Sequence, residues 1–367
     1  MENKKKIGIL TMYYTNISHG GLLQAYSLCK KLDGLGYSAE QIKYDYNERF
    51  RANSIFKKIK RLIRRIPYKF LILITGDKSE QKYYSYMDEV PHSELYDSNN
   101  IETLNGKYDI YVVGSDQVWN ELYCDDYFYF PGIENPKVAY AASVGRDNLS
   151  EKELNSIAYK ISDFKAVSVR ESNLQEKLQK FARQEVELVC DPVFLNSKEF
   201  WIEHSVKPDI KEKYVLVYIL GDDISAKKKA VSFAKQLGYK VVTIPNVNLA
   251  AHFSDVHGSD IVKWSVGPKE FLGLINNAEC VLTDSFHCTA FSIIFQKNFY
   301  CFDRSGGEKK MNSRLLSILN VIGIPERFID INKTGNFAFN DIEYGSVGEK
   351  LCCYITKSEK WLKQALE

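Results

Sequence analysis

Short runs of β-branched and aromatic residues alternate along this chain with segments of helical periodicity. The runs occupy residues 7–12, 109–113, 138–142, 166–169 and 186–189 in the first half, and residues 214–220, 240–244, 280–283 and 299–302 in the second. Apolar residues at helical spacing lie between them, as in residues 22–32, 151–161, 172–181, 226–237 and 268–278. Such alternation is typical of βαβ units and predicts an α/β protein with mostly parallel sheets.

The length of the chain, 367 residues, exceeds what one hydrophobic core usually serves. The polar stretch 195–213, which contains Pro208, separates two halves of similar pattern. We therefore predict two Rossmann-like domains facing a central cleft, over residues 1–200 and 210–340. A last helix, within 345–367, is expected to pack back on the first domain.

Polar and charged residues follow five of the predicted strands. Because ligands bind beyond the carboxyl ends of parallel strands, these residues are candidates for one site. They are Ser115, Asp116, Gln117, Asn120, Arg146, Arg170, Asp284, Ser285, His287, Thr289 and Arg304. For Asp116, a role as base or hydroxyl-orienting group competes with that of a turn former at a strand end.

The segment from Asp284 to Thr289 leads into the apolar residues of another predicted helix. Ser285 or Asp284 could cap that helix, and its first N–H groups would form an anion site. His287 would lie in the first turn, where it could bind phosphate or transfer a proton. The alternative is a histidine with a purely structural hydrogen bond.

Three arginines occupy similar positions. Arg170 is either a substrate clamp or the partner of Glu171 and nearby acids. Arg304 and Arg314 flank a Gly-Gly loop and a helix start, a context suited to phosphate, although ordinary surface arginines are the alternative.

Gly20 and Gly21 follow the first strand and open a helix that carries Gln24, so the backbone could approach a ligand there. The dinucleotide-binding and Walker patterns are absent from the sequence, as are an Asp-x-Asp metal clamp and a Gly-x-Ser-x-Gly elbow. The eight cysteines are scattered without zinc-site spacing. We expect no metal and no cofactor, reduced thiols, and a cytoplasmic protein without a membrane-spanning segment.

The net charge is only +2, yet residues 48–69 contain nine Lys or Arg and one acid. Within the basic segment 48–75, residues 55–66 would place isoleucines, Leu62 and Phe56 on one helical face and six basic residues on the other. This pattern predicts peripheral binding to an anionic membrane surface. A solvated helix packed on the protein is the alternative, and nucleic-acid binding is not expected because the rest of the chain is acidic.

The ordered motifs of the chain resemble those of the polysaccharide pyruvyl transferase family. They are Gly20-Gly21-Leu-Leu-Gln24-Ala-Tyr26, Gly114-Ser115-Asp116-Gln117-Val-Trp119-Asn120, Ser143-Val-Gly145-Arg146, Ser168-Val-Arg170-Glu171, Asp191-Pro192-Val-Phe and Thr283-Asp284-Ser285-Phe286-His287. The resemblance departs at Cys288, where the motif often has Gly, and at Ser285, where another branch has Arg.

This resemblance implies a fold similar to the GT-B glycosyltransferases and an active site between the domains. It also implies transfer of the enolpyruvyl group of phosphoenolpyruvate onto two sugar hydroxyls as a ketal, with release of phosphate, in exopolysaccharide synthesis. We expect His287, Asp116 and Arg170 to be catalytic. Donor contacts would come from Ser285, Asp284, Thr289, Arg304, Arg314 and Arg146, and acceptor contacts from Gly20, Gly21, Gln24, Ser115, Gln117 and Asn120.

The acceptor is expected to be a saccharide, either free or carried on a membrane lipid. Two other interpretations stay open at this stage: a GT-B glycosyltransferase that uses a nucleotide sugar, and a non-catalytic scaffold in a polysaccharide assembly complex.

Overall fold

A computed structural model of the chain describes residues 4–14, 18–46, 74–221, 224–245, 256–304, 312–330 and 339–367. Most of the basic segment 48–75, including the predicted helix 55–66, lies outside these residues. In the part of the chain that is described, no helix is long and apolar enough to cross a membrane.

The first domain is built on a parallel sheet of seven strands in the order β3-β2-β1-β4-β5-β6-β7. These strands are β1 Lys6–Leu10, β2 Ser38–Tyr44, β3 His92–Tyr96, β4 Ile110–Val113, β5 Lys137–Ala142, β6 Ala166–Val169 and β7 Val186–Leu188. The helices of this half are α1 His19–Gly34, α2 Ser79–Glu89, α3 Glu151–Lys160, α4 Ser172–Leu178 and α5 Lys198–Glu203. Strands β4 and β5 are buried throughout, as expected when helices cover both faces of a parallel sheet.

The second domain repeats this plan with six parallel strands in the order β10-β9-β8-β11-β12-β13. The strands are β8 Tyr214–Tyr218, β9 Lys240–Thr243, β10 Ile261–Val262, β11 Cys280–Thr283, β12 Asn298–Phe302 and β13 Phe328–Ile329. The helices are α6 Ile224–Gln236, α7 Pro268–Asn276, α8 Phe286–Ile294, α9 Ser313–Ile322 and α10 Tyr344–Leu366. In both sheets the strand order reverses direction beside the first strand, at a point where a crevice opens for ligands.

Polar contacts join the two domains near the ends of their strands. Asp147, in the loop after β5, accepts the backbone N–H groups of Asn312 and Ser313 at the start of α9, at 3.2 and 3.1 Å. The backbone N–H of Ser172, at the start of α4, donates to the Ser317 hydroxyl at 2.7 Å. The loops that follow strands β5 and β6 are thereby held against a helix of the second domain.

The C-terminal helix α10 follows the second sheet but contacts the first domain. The hydroxyl of Ser358 accepts the backbone N–H of Cys190 at 2.9 Å, and Lys31 of α1 pairs with Glu359. Leu362 and Leu366 are fully buried in the core shared with α1 and β5. The last helix therefore connects the two domains.

The α/β class with two parallel-sheet domains is confirmed. The nine strands predicted from the sequence are present, with ends shifted by at most two residues. Strands β2, β3, β10 and β13 were missed; β10 and β13 are two-residue strands, and β2 and β3 lie at one edge of the first sheet with mixed burial. Helices α2 and α5 were missed as well, and α5 lies within the polar stretch expected to separate the domains.

Substitution of Leu362 by Ala tests the contribution of α10. Removing a fully buried leucine is expected to lower the free energy of unfolding by about 2–5 kcal/mol. Chemical denaturation measures the change. Lys360→Ala, at an exposed position of the same helix, is the control and should change stability by about 0.5 kcal/mol or less. Equal effects of the two changes would show that α10 does not support the fold.

Candidate active site at the domain junction

Arg170 lies immediately after β6, and its side chain is buried among three carboxylates. Its Nη2 donates to Oδ1 of Asp116 at 3.1 Å, and its Nη1 donates to Oδ2 of Asp191 at 2.5 Å. The Nε atom lies 3.5 Å from Oε1 of Glu171. Burial alone would lower the pKa of Arg170, but these carboxylates raise it, so the guanidinium stays charged.

Asp191 is fully enclosed and each of its oxygens has partners. Its Oδ1 accepts the backbone N–H of Val193 at 3.1 Å, and its Oδ2 accepts the Ser115 hydroxyl at 3.2 Å in addition to Arg170. Nε2 of His287 lies 3.6 Å from the same Oδ2. Burial opposes ionisation, yet His287 and Arg170 hold the pKa of Asp191 well below its usual range.

His287 belongs to the second domain but packs against the backbone of the first. A Cβ on Gly20, in the first turn of α1, would lie 1.9 Å from Nδ1 of His287, so only glycine leaves room for the ring. The neighbouring Phe286 ring stacks on Arg170, with 4.6 Å between the guanidinium carbon and the ring centroid. The first turn of α8 is thus seated on the strand ends of the first domain.

The start of α8 offers free hydrogen-bond donors. Ser285 is the N-cap, and its hydroxyl accepts the backbone N–H of Cys288 at 3.4 Å. The backbone N–H groups of Phe286 and His287 have no hydrogen-bond partner among the described residues. With the positive end of the helix dipole, these donors favour an anion.

Asp284 orders a neighbouring loop and does not cap the helix. Its carboxylate accepts the backbone N–H groups of Leu220 and Gly221 at 2.7 and 2.8 Å. The Nε of Arg304 donates to the same carboxylate at 3.2 Å. Asp284 therefore fixes the loop after β8 and the position of Arg304.

Arg314, in the first turn of α9, differs from the other arginines of the junction in its lack of partners among the described residues. Its side chain is buried, and over the described ranges it has no hydrogen bond or ion pair. Burial and the nearby charges of Arg170 and Arg304 lower the pKa of Arg314 to about 10, with Glu171 and Asp116 acting in the opposite direction. A buried guanidinium without a counter-ion is costly, which makes this position suited to an incoming anion.

The turn after β4 brings Asp116 to Arg170. The bond between Gly114 and Ser115 is a cis peptide, and Asp116 has a φ of 68°. Ser115 is held by Gln24, whose side-chain oxygen accepts the Ser115 backbone N–H at 3.2 Å. Oδ2 of Asp116 accepts no hydrogen bond from the residues that the structure describes, and it lies 3.7 Å from where a Cβ on Gly21 would be. Within the described part of the chain, Asp116 thus has one oxygen without a hydrogen bond.

Several residues predicted to contact a ligand form hydrogen bonds with other residues of the protein. Gln24 is fully buried and bonds Thr11 and the carbonyl of Gly21 as well as Ser115. Three other predicted contacts also form side-chain hydrogen bonds. The Thr289 hydroxyl bonds with the Cys301 thiol, Arg146 with Glu153, and Gln117 with Asn120. In this arrangement they position the loops of the junction, and their ligand contacts stay predictions.

Asp191, Glu171 and Asp147 were not among the predicted site residues. Asp191 and Glu171 lie within motifs that the sequence shows, but each follows a strand as an ordinary turn or cap residue would. No sequence pattern identified Asp147, because its role as a cap for α9 depends on contact between the domains. A search for acids that follow the strand before Arg170 and the next strand along the chain would have found Glu171 and Asp191.

The molecule is a two-domain α/β protein of the GT-B type, with its cluster of charged residues between the domains. The family model described as polysaccharide pyruvyl transferase matches residues 19–306, most of the chain. The chain belongs to the polysaccharide pyruvyl transferase family. No curated protein matches its sequence.

Solved structures with the same fold are distant in sequence. The HepE protein of Anabaena, in complex with UDP and glucose, has a TM-score of 0.51 at 9% identity, with 99% of each chain covered. A putative UDP-N-acetylglucosamine 2-epimerase from Listeria monocytogenes has a TM-score of 0.50 at 8% identity, covering 99% of this chain and 91% of the other. At such identities the similarity establishes the fold alone.

Gly20→Ala tests the packing of the His287 ring against α1. Alanine usually stabilises a helix relative to glycine, but here its Cβ would collide with the imidazole, so we expect a lower melting temperature. Gly34→Ala in the same helix meets no atom within 4 Å and should leave the melting temperature equal or higher. Thermal denaturation of both variants measures the difference; a Gly20 variant as stable as the Gly34 variant would contradict this packing.

Proposed function

We propose that the chain transfers the enolpyruvyl group of phosphoenolpyruvate to two hydroxyls of a saccharide, forming a ketal and releasing phosphate. The proposal depends on the buried guanidinium of Arg314 at the domain junction, which has no hydrogen bond or ion pair with the residues that the structure describes. Phosphoenolpyruvate has about three negative charges at neutral pH, and its pocket needs cations and N–H donors in close proximity. Arg314, Arg304 and the start of α8 supply both.

The reaction needs a proton donor, a base and stabilisation of the leaving phosphate. The C3 methylene takes a proton, the first sugar hydroxyl adds to C2 and loses its proton to a base, and the C2–O bond to phosphate breaks. The second hydroxyl then adds to C2 and loses its proton, and this proton neutralises one negative charge of the released phosphate. No oxidant, metal or cofactor enters this sequence, and none is proposed.

His287 and Asp116 suit two of these roles. His287 stands in the first turn of α8 beside the free N–H groups, so it is proposed either to protonate the methylene carbon or to bind the phosphate. Arg170 donates to one oxygen of Asp116, and the other oxygen accepts no hydrogen bond from the described residues, so Asp116 is proposed to orient or deprotonate a sugar hydroxyl. Arg170 holds the side chains of Asp116 and Asp191 in place.

Calorimetry with phosphoenolpyruvate in the presence of EDTA tests the donor assignment. We expect saturable binding, weakened at least tenfold in Arg314→Ala, because the substitution removes a buried cation of the proposed donor site. His287→Ala should lower the rate of phosphate release with an accepted saccharide at least tenfold. Arg183→Ala, at an exposed position, is the control and should match the parent protein.

Two results would reverse this proposal. Saturable binding of a nucleotide diphosphate sugar without binding of phosphoenolpyruvate would favour a glycosyltransferase. Equal donor affinity in Arg314→Ala and Arg183→Ala would remove the observation on which the donor site rests.

We also propose that residues 55–66 hold the protein reversibly on an anionic membrane, near an acceptor carried on a lipid. The support is the sequence pattern alone, with six basic residues that each contribute about 1 kcal/mol near such a surface. Flotation with phosphatidylserine vesicles at low salt should recover the protein. Changing Lys58, Arg61, Arg64 and Arg65 together to Glu should abolish flotation.

A charge-matched control separates this segment from general electrostatics. Lys211, Lys228, Lys360 and Lys363 are exposed, and changing them together to Glu alters the net charge equally. This variant should still float. Loss of flotation in both variants, or in neither, would contradict a specific role of residues 55–66.

A further inference from the structure

His287 presents its two ring nitrogens to different surroundings. Nε2 is fully enclosed and has no hydrogen bond among the described residues, and it faces Asp191, whose Oδ2 lies 3.6 Å away. Nδ1 also has no hydrogen bond with the part of the chain that the structure describes, but it is not fully enclosed, and 10% of the side chain is exposed. The protein thus encloses one nitrogen beside a carboxylate and leaves the other accessible.

Asp191 is placed to accept a hydrogen bond from Nε2 without taking its proton. Its carboxylate already accepts Nη1 of Arg170 at 2.5 Å, the Ser115 hydroxyl at 3.2 Å and the backbone N–H of Val193 at 3.1 Å. These donors favour the ionised form of the acid. A lone pair on Nε2 would face this negative charge, so the proton of a neutral imidazole belongs on Nε2.

Two helices begin beside Nδ1. A Cβ on Gly20, in the first turn of α1, would lie 1.9 Å from Nδ1 and 2.3 Å from Cγ, so α1 packs mainly over the face of the ring at this edge. The backbone N–H groups of His19 and Gly20 have no hydrogen-bond partner among the described residues. The start of α8 adds two more such groups. Unpaired N–H groups from two helix starts favour an anion on the accessible side of the ring.

We propose that Asp191 positions His287 by holding a proton on Nε2, so that His287 donates a hydrogen bond through Nδ1 to a phosphate oxygen of the donor substrate. The contact with the substrate rests on the proposed function, whereas the position of the proton on Nε2 does not. Asp191 acts through His287 and is a positioning residue. The separation of 3.6 Å is longer than a hydrogen bond, but such contacts are often long in a free enzyme and shorten when substrate binds.

This arrangement assigns a partner to each nitrogen of the ring. When His287 donates through Nδ1, the ring carries a proton on both nitrogens, with Asp191 opposite Nε2 and the phosphate opposite Nδ1. When the ring is neutral, Nδ1 is the nitrogen without a proton. Arg170 stays paired with Asp191 in both forms, so no proton passes to the carboxylate.

NMR of the protein labelled with 15N in its six histidines tests the position of the proton without any substrate. His287→Asn identifies the signals of His287 by their loss. As the pH is raised until the ring is neutral, we expect Nδ1 alone to show the large shift of an unprotonated nitrogen, so that a single tautomer is present. Asp191→Asn keeps the shape of the acid and removes its charge, and its spectrum should show both tautomers.

Two amide variants test which nitrogen meets the substrate. His287→Asn places a side-chain N–H near the position of Nδ1, whereas the longer chain of His287→Gln reaches the position of Nε2. In calorimetry with phosphoenolpyruvate we expect His287→Asn to bind within about threefold of the parent protein, and His287→Gln to bind at least about tenfold more weakly.

The same pair of changes at His92 is the matched control. His92 begins β3, the edge strand of the first sheet, and its Nδ1 lies 2.9 Å from the carbonyl oxygen of Ser93. His92→Asn and His92→Gln should both bind phosphoenolpyruvate as the parent protein does. Melting temperatures of all four variants show whether a loss of binding comes from a loss of folding.

The outcomes separate this inference from the proposed function. A proton on Nδ1 of the neutral ring in the parent protein, or the same single tautomer in Asp191→Asn, would overturn the positioning role of Asp191. Equal binding by His287→Asn and His287→Gln, or tighter binding by the latter, would overturn the role of Nδ1, and this comparison does not depend on the folding of Asp191→Asn. The expected tautomer in a protein that does not bind phosphoenolpyruvate would retain the pairing of Asp191 with His287 and reject the proposed donor.

Discussion

The ion-pair cluster of Arg170 holds together the strand ends on which the site depends. One guanidinium joins Asp116 after β4, Glu171 after β6 and Asp191 after β7, and the ring of Phe286 from the second domain covers it. Removing one partner of such a cluster would leave an uncompensated buried charge. The position of His287 depends on the same cluster, since its ring lies between Asp191 and the backbone at Gly20.

The three arginines of the junction differ in their partners, and this difference assigns their roles. Arg170 has three carboxylates, Arg304 has Asp284, and Arg314 has none among the described residues. A substrate anion would have to compete with protein carboxylates for Arg170 but not for Arg314. The geometry therefore favours Arg170 as an organiser of the acidic side chains and Arg314 as the group that meets an anion.

Local patterns in the sequence were sufficient for the class of fold and for several of the polar strand ends that meet at the domain junction. The apolar runs at 110–113 and 280–283, and the polar residues after them, predicted strand ends as candidates for a ligand site, and these strand ends lie together at the junction. Local patterns could not predict which side chains form hydrogen bonds with each other in the folded protein. Nothing in the residues around Thr289 or Gln24 shows that their polar groups would bond to Cys301 and Ser115, and nothing near Asp147 shows that it would cap α9. These contacts depend on tertiary packing, within one domain for Gln24 and Thr289 and between the domains for Asp147.

A crystal structure of the protein with bound phosphoenolpyruvate would show whether Arg314 binds the donor. We expect the ligand to lie between the domains, with a phosphate or carboxylate oxygen within hydrogen-bond distance of the Arg314 guanidinium and His287 beside it. Arg170 should keep its contacts with Asp116 and Asp191. If the ligand binds elsewhere, or if Arg314 pairs with a carboxylate of the protein while phosphoenolpyruvate occupies the cleft, Arg314 is not the donor-binding cation.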